Sequence, residues 1–455
     1  MRRFSLIGRL GSDDKSKINL VQTDSEVFEI DFLDGDLRMG FGIGHALDQL
    51  ASLGLQPSER GIDLVVLAAL VNAGDTRVSR KSNAQDGWTR EIDLYVPMSA
   101  SAAWSANTRS IEAMLRFLTG DRWRVFIRDR TKRTKTLVVA PKRLAIDGLT
   151  KVSLLSGGLD SLVGAIDLLS VGERPLFVSH YWDSETAKAQ AYVLDRLETR
   201  FGQEAFKSLR VRLGFDKHHL TTGETENTQR GRSFLFYSLA TLAASAIDGR
   251  TTVDIPENGL IALNVPLDPL RFGALSTRTA HPHFIASMQK LLDALALDVE
   301  LNNPYRHMTK GEMVANCADK ILLEKIVANS MSCSSPAKAR YKKLSPRHCG
   351  YCVPCLIRRA SLEVGLDGDD MTPYLVEDLK GHVLASDQPE GEHVRSFQLM
   401  AKRIKAKPDL AKILVHKPGP LHDEPDATPD YADVFRRGVL EVAELLKGVR
   451  ARPGG

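Results

Sequence analysis

The segment KVSLLSGGLDSLVGAIDLL, residues 151–169, runs from a short apolar strand straight into an apolar helix. Val152 to Leu155 read as a buried strand and Leu162 to Leu169 as a helix. Ser156, Gly157, Gly158, Leu159, Asp160 and Ser161 join them. Two consecutive glycines let successive backbone N–H groups point into one concavity, and the helix N-terminus adds the positive end of its dipole. The hydroxyls of Ser156 and Ser161 supply further donors, so the join reads as a phosphate cradle. Asp160 repels phosphate and reads instead as a Mg²⁺ ligand or as the residue that orients the loop. The lysine of a GxxxxGK(S/T) loop is missing, so γ-phosphoryl transfer does not fit. A grip on the β- and γ-phosphates that leaves the α-phosphorus open fits transfer of AMP, with pyrophosphate leaving.

Strand and helix patterns continue to alternate beyond this segment. Pro175–Ser179 and Leu209–Leu213 read as strands, with Val253–Ile255 and Leu260–Leu263 as shorter ones. Glu185–Phe201 and the Ala-rich Phe234–Ile247 read as helices. That spacing predicts an α/β fold with a doubly wound parallel sheet over residues 148–372. Upstream, residues 1–147 carry strand-like runs (FSLIGRL, KINLVQ, FEIDFL, IDLYVPM, RWRVFIRD, TLVVAP) broken by helical patterns near 45–54 and 108–118. They read as an extra N-terminal α/β domain of unknown role. Its polar stretch SRKSNAQDGWTR, residues 79–90, reads as a loop or hairpin, and no motif there has a catalytic mechanism. From 373 to 455 the chain turns helical, with KPGPLHDEPDATPD at 417–430 as a linker. Val434, Phe435, Val439, Val442, Leu445 and Leu446 then form an amphipathic helix.

Composition narrows the function classes. The 455 residues are 43% hydrophobic and 26% charged, and the net charge is +4. So small an excess argues against nucleic acid as a partner. No apolar run reaches the ~18 residues of a membrane span, and the basic start is too short in apolar residues for a secretory signal, so a cytoplasmic protein is expected. All five cysteines fall between 317 and 355, which leaves no thiol nucleophile in the first 316 residues. Cys349, Cys352 and Cys355 stand three apart, sixteen residues after Cys333. Four thiolates on a short knuckle, residues 333–355, suit tetrahedral Zn²⁺ with no open position, a structural site. An iron–sulfur cluster uses similar spacing. Cys317, in a helical run, reads as a buried small hydrophobe.

The loop is the SGGxDS signature of PP-loop ATP pyrophosphatases, which implies their nucleotide-hydrolase-like sheet. Together with the late Cys…CxxCxxC knuckle and the arginines that follow it (Arg358, Arg359), it resembles the QueC family, 7-cyano-7-deazaguanine synthase, over about 150–365. Gly231-Arg232-Ser233 resembles that family's GRN segment, with Ser for Asn. Thr309-Lys310-Gly311-Glu312 resembles its TKxE segment. Ser179 and His180 fall where the family has its nucleotide contacts after the second strand, although Ser-His-Tyr-Trp replaces the usual YGQ. The extra domains, Glu257-Asn258-Gly259 and the block Ser276-Thr277-Arg278-Thr279-Ala280-His281-Pro282 resemble the long QueC-like proteins of Qat-type anti-phage operons.

The resemblance implies ATP, Mg²⁺ and Zn²⁺ as cofactors and a deazaguanine carboxylate as substrate. The carboxylate attacks the α-phosphorus of ATP, and an amine then displaces AMP to give an amide; in the housekeeping enzyme a second ATP activates the amide, and loss of AMP gives the nitrile. The amine comes from ammonia or from a partner protein of the same operon. A carboxylate nearing a polyanion needs fixed cations, for which Arg232 and Lys310 are the candidates, with Asp160 as the third catalytic residue. Glu257 is the candidate acceptor for the two donors of a guanine edge. Arg278 and His281 are candidates for the substrate's carboxylate or phosphate. The competing reading is a tRNA-modifying PP-loop enzyme that adenylates a base, with an iron–sulfur cluster or persulfide.

Overall fold

The computed structural model describes residues 2–34, 38–84, 87–216, 220, 224, 226, 228–268, 278–334 and 336–453. Two all-parallel sheets organise them. The first comprises β1 (Arg3–Arg9), β2 (Glu26–Asp31), β3 (Glu91–Met98) and β4 (Arg122–Asp129), in the order β2-β1-β3-β4. The second comprises β5 (Lys151–Leu154), β6 (Pro175–His180), β7 (Lys207–Val211), β8 (Thr251–Asp254) and β9 (Val299–Asn302), in the order β7-β6-β5-β8-β9. This is the doubly wound α/β arrangement expected. After β7, at one edge, the chain returns to lay β8 beside β5. The carboxyl ends of β5 and β8 therefore flank the crevice where ligands bind in such sheets.

Alternation along the strands loads both faces. Leu176 and Val178 enter one core, while Phe177 enters another with Leu162, Ile166 and Val193 from the helices Leu159–Ser170 and Ser184–Phe201. The first core does not stop at the second sheet. It continues through the helix Arg232–Ala244 into the N-terminal helix Glu59–Arg77 and on to Phe4 and Leu6 of β1. The amide of Gln49, on the helix Ile43–Ser52, exchanges hydrogen bonds with the backbone of Arg210 and covers the β7 edge. A third core joins the cysteine knuckle to the C-terminal helices Pro389–Ala406 and Thr428–Leu445. No helix among the described residues is long and apolar enough to cross a membrane.

Several local expectations change. KINLVQ and TLVVAP form no strand. In the latter, the amides of Leu137 and Val138 donate to the Glu59 carboxylate, so their hydrogen bonds go to a side chain rather than a sheet. Leu260–Leu263 lies in the helix Gly259–Leu263, capped by Asn258. Residues 417–430 are tied down, not loose: Asp423 meets His283 and Lys290, and Glu424 accepts from Tyr431. The stretch 79–90 begins with a short helix, Arg80–Asn83, and ends in a fully buried Arg90.

Candidate functional site

Gly157 adopts φ +85°, and a Cβ there would lie 3.1 Å from Cγ of Gln190. Only glycine holds this turn without strain. The Ser156 hydroxyl accepts from the amide of Gly158 at 3.2 Å and lies 3.1 Å from the Ser161 hydroxyl, which donates to the Gly158 carbonyl. Ser332, from the segment before the knuckle, accepts from the amide of Leu159 at 3.2 Å. Met331 donates its amide to the Gly157 carbonyl at 2.8 Å. Hydroxyls on the loop's N–H groups stand where phosphate oxygens bind in such cradles.

The loop opens on a cleft of about 560 Å³ lined by Ser156, Ser161, Trp182, Gln229, Arg232, Phe236, Tyr237, Glu257, Thr279 and Ser332. Arg232 is half-buried and has no carboxylate within ion-pair distance among the described residues. Burial lowers its pKa, partly offset by Asp183 nearby. It is a cation prepared for an anion. Trp182 and Phe236 add flat apolar walls, and Gly214 lets Trp182 lie there, since a Cβ would come within 2.1 Å of its ring. Glu257 is held well above the usual carboxylate range by burial and by Asp160, against the pull of Lys310.

The structure brings some expected residues together and separates others. Asp160 is buried. One oxygen meets Lys310 Nζ at 3.2 Å, the other accepts from Asn258 at 2.8 Å, and Glu257 stands beside it. It ties the loop to two further helix starts. Lys310 is itself buried, next to the N-cap Thr309, whose capping box with Glu312 explains the Thr and Glu of that segment. Glu441 and Arg437, on the C-terminal helix, accept from Thr309 and pair with Glu312. Ser179 is fully buried and donates to the Leu155 carbonyl. His180 bonds to the Leu213 carbonyl and is lowered to about 4 by burial and by Arg232. It faces a neighbouring cavity of about 500 Å³, which shares Trp182 and Gln229 with the cleft and is also lined by Asn72, Thr76 and Arg77 of the N-terminal helix.

Arg278 and His281 lie outside the cleft lining. Arg278 donates to the Phe117 carbonyl and stacks on that ring at 4.7 Å. His281 is fully buried and caps the helix Pro282–Ala294, accepting from the amide of His283. Both serve the contact with the N-terminal sheet's helix, and among the described residues of this block Thr279 lines the cleft. Ser276 and Thr277 fall outside the described residues. Trp182, Gln229, Phe236 and Tyr237 were not anticipated as lining. An aromatic after β6 and the residues around the Gly231 turn were the only signals for them.

The four expected thiols converge. Sγ atoms of Cys333, Cys349, Cys352 and Cys355 all lie within 4.8 Å of one another, and Cys349 and Cys355 are 3.8 Å apart. That spacing is too long for a disulfide and matches the edge of a tetrahedron built on Zn–S bonds of about 2.3 Å. Amides of Cys349 and Cys352 donate to Sγ of Cys333 and Cys349. The donor set fits Zn²⁺, which these four thiolates would hold as a structural ion. Cys317 is apart and buried, its thiol pushed up to about 12 by burial. Arg358, fully buried, donates to the Ser330 and Ser332 hydroxyls and to the Val327 carbonyl. The knuckle's own helix, Val353–Gly365, thereby holds Ser332 against the phosphate loop. His283, His422 and Asp423 also converge, but both Asp423 oxygens are engaged, one by His283 and the other by Lys290, as in an ordinary ion-pair network.

A Gly-Gly phosphate loop at the switch point of a parallel sheet, facing an arginine with no ion-pair partner among the described residues and walled by a four-thiol knuckle, defines a PP-loop nucleotide-binding protein. Residues 150–365, a little under half the chain, match the model of the queuosine biosynthesis protein QueC family. The match supports an ATP-dependent PP-loop enzyme of 7-deazaguanine-type chemistry. No match was found among curated proteins.

Proposed function

We propose that the protein adenylates the carboxylate of a 7-carboxy-7-deazaguanine-like acid and passes the acyl group to an amine. The observation that carries this reading is the phosphate loop in one cleft with Arg232, which has no ion-pair partner among the described residues. A carboxylate oxygen attacks the α-phosphorus, the bond to the β-phosphate oxygen breaks, and pyrophosphate leaves into the Ser156–Ser161 cradle. Arg232 neutralises charge at the α-phosphate as it develops. Lys310 acts one step back, by holding Asp160. Glu257, a carboxyl held above its usual range beside Asp160, would be the residue to hold a Mg²⁺ ion carried by the triphosphate, which would supply charge neutralisation at the phosphates. This replaces the guanine-edge role, since the Glu257 carboxyl meets Asp160. Trp182 and Phe236 stack on the bases. An amine then attacks the acyl carbon, AMP departs with one carboxylate oxygen, and the amine's proton passes to solvent.

The adjoining cavity, walled by the N-terminal module, gives the amine its route and supports an acceptor larger than ammonia, including an amine on a partner protein. The long form supports a place in anti-phage defence. The test is incubation with ATP, Mg²⁺, the deazaguanine acid and ammonium or the operon partners, following pyrophosphate, AMP and product mass. Pyrophosphate formed only when the acid is present supports the proposal. ADP and phosphate as products, or pyrophosphate release indifferent to the acid, refute it.

A further inference from the structure

The turn that leads to Arg232 is held from outside its own sheet. The amide of Gly231 donates to Oδ2 of Asp75, on the N-terminal helix Glu59–Arg77, at 2.7 Å. The other oxygen of Asp75 accepts from Arg80 and from Arg90, both at 3.0 Å. Each arginine also meets Asp121 at 2.6 Å. One residue before the turn, Arg230 donates to the Thr119 carbonyl and lies 4.2 Å over the Trp88 ring. Two residues before that, Thr228 accepts from Arg80 at 2.5 Å, and Glu226 accepts from the Arg80 amide at 2.8 Å. Asp75, Arg80, Arg90 and Asp121 are all buried, and Arg90, Asp75 and Asp121 fully so. Burial alone would raise Asp121, but Arg90 and Arg80 hold it below the usual carboxylate range.

So much buried charge is a poor way simply to glue two modules, because apolar packing does that as well or better. Helices Glu59–Arg77 and Arg232–Ala244 already share an apolar core. What charge adds is direction. Both arginines converge on one oxygen of Asp75, which leaves the other free for a single backbone N–H. That N–H precedes the cleft's cation by one residue. A Cβ on Gly231 would lie 3.3 Å from Val71 and 3.4 Å from Asp75, so the turn is seated tightly as well as bonded.

We infer that the N-terminal module positions the adenylation site: Asp75, fixed by Arg80 and Arg90, sets the turn that aims Arg232 into the cleft. Asp75 is a positioning residue. The inference rests on the reading of Arg232 given above, and a double-mutant cycle separates the two. Acid-dependent pyrophosphate release is measured for the full chain, for Arg232→Ala, for Asp75→Asn and for the double variant, with thermal melts alongside. Arg232→Ala is expected to lose about 100-fold, and Asp75→Asn about tenfold. The double variant should be no slower than Arg232→Ala, because an effect that acts through Arg232 vanishes with it. Gly231→Ala displaces the turn without touching a charge, and it carries the same test if Asp75→Asn does not fold. Losses that multiply in the double variants overturn the inference and leave the cluster a stabilising role alone. An Arg232→Ala enzyme with the full rate refutes the reading of the cleft instead.

Discussion

Gly157 and His281 show the two ways a single residue matters here. A methyl at Gly157 meets a left-handed backbone, at about 1–2 kcal/mol, and the Gln190 side chain at 3.1 Å. Gly157→Ala is therefore expected to weaken ATP binding at least tenfold in a calorimetric titration while the chain still folds; unchanged affinity would contradict the cradle. His281 is buried and titrates near 3, because burial and the neighbouring Arg278 disfavour its charged form. Unfolded, it takes a proton near 6.5. Between those values the unfolded state binds the proton more readily, so stability is lost as pH falls from 6.5 towards 3. His281→Asn keeps a capping acceptor and removes the titration, and its acid-unfolding midpoint should move to lower pH. A midpoint unchanged or moved upward contradicts this. The loop and the thiols were legible in the sequence because their chemistry is local: adjacent glycines, fixed cysteine spacing. Arg278 and His281 were not, since where their side chains turn is set by Phe117, more than 160 residues earlier.

At the scale of elements, the knuckle and the phosphate loop form one mechanical unit through Arg358 and Ser332. Arg358→Met leaves the acceptors of Ser330, Val327 and Thr372 without their donor. It should cost on the order of 2–4 kcal/mol in urea unfolding, keep the metal content, and slow pyrophosphate release. Metal removal by a chelator should do both more severely. A metal-free chain with intact stability and turnover would show that the knuckle neither supports the fold nor wall the cleft. Strands with clean alternation or bounded apolar runs, such as β3 and β5, could be read from the sequence. The helix Glu59–Arg77 could not. Most of its residues are buried around the whole circumference, so it has no polar face to give a 3.6-residue period. KINLVQ erred the other way: its apolar residues resemble a strand, but no neighbouring strand receives it.

For the whole molecule, the continuous core from Phe4 through the second sheet makes the N-terminal module part of the folding unit that holds the site. Calorimetry should show residues 1–147 and the second sheet unfolding in one transition, and a chain starting at 148 should be insoluble, with the apolar flank of Arg232–Ala244 uncovered. Separate transitions, or a stable truncated chain, would contradict this. The sequence marked the two α/β regions but not their union, because a shared core depends on which helix faces meet across domains. The central claim is that a carboxylate becomes a mixed anhydride with AMP. It is tested most directly by supplying the deazaguanine acid with ¹⁸O in its carboxylate and weighing the AMP released. AMP carrying one labelled oxygen is the predicted result; unlabelled AMP, or ADP in its place, would contradict it.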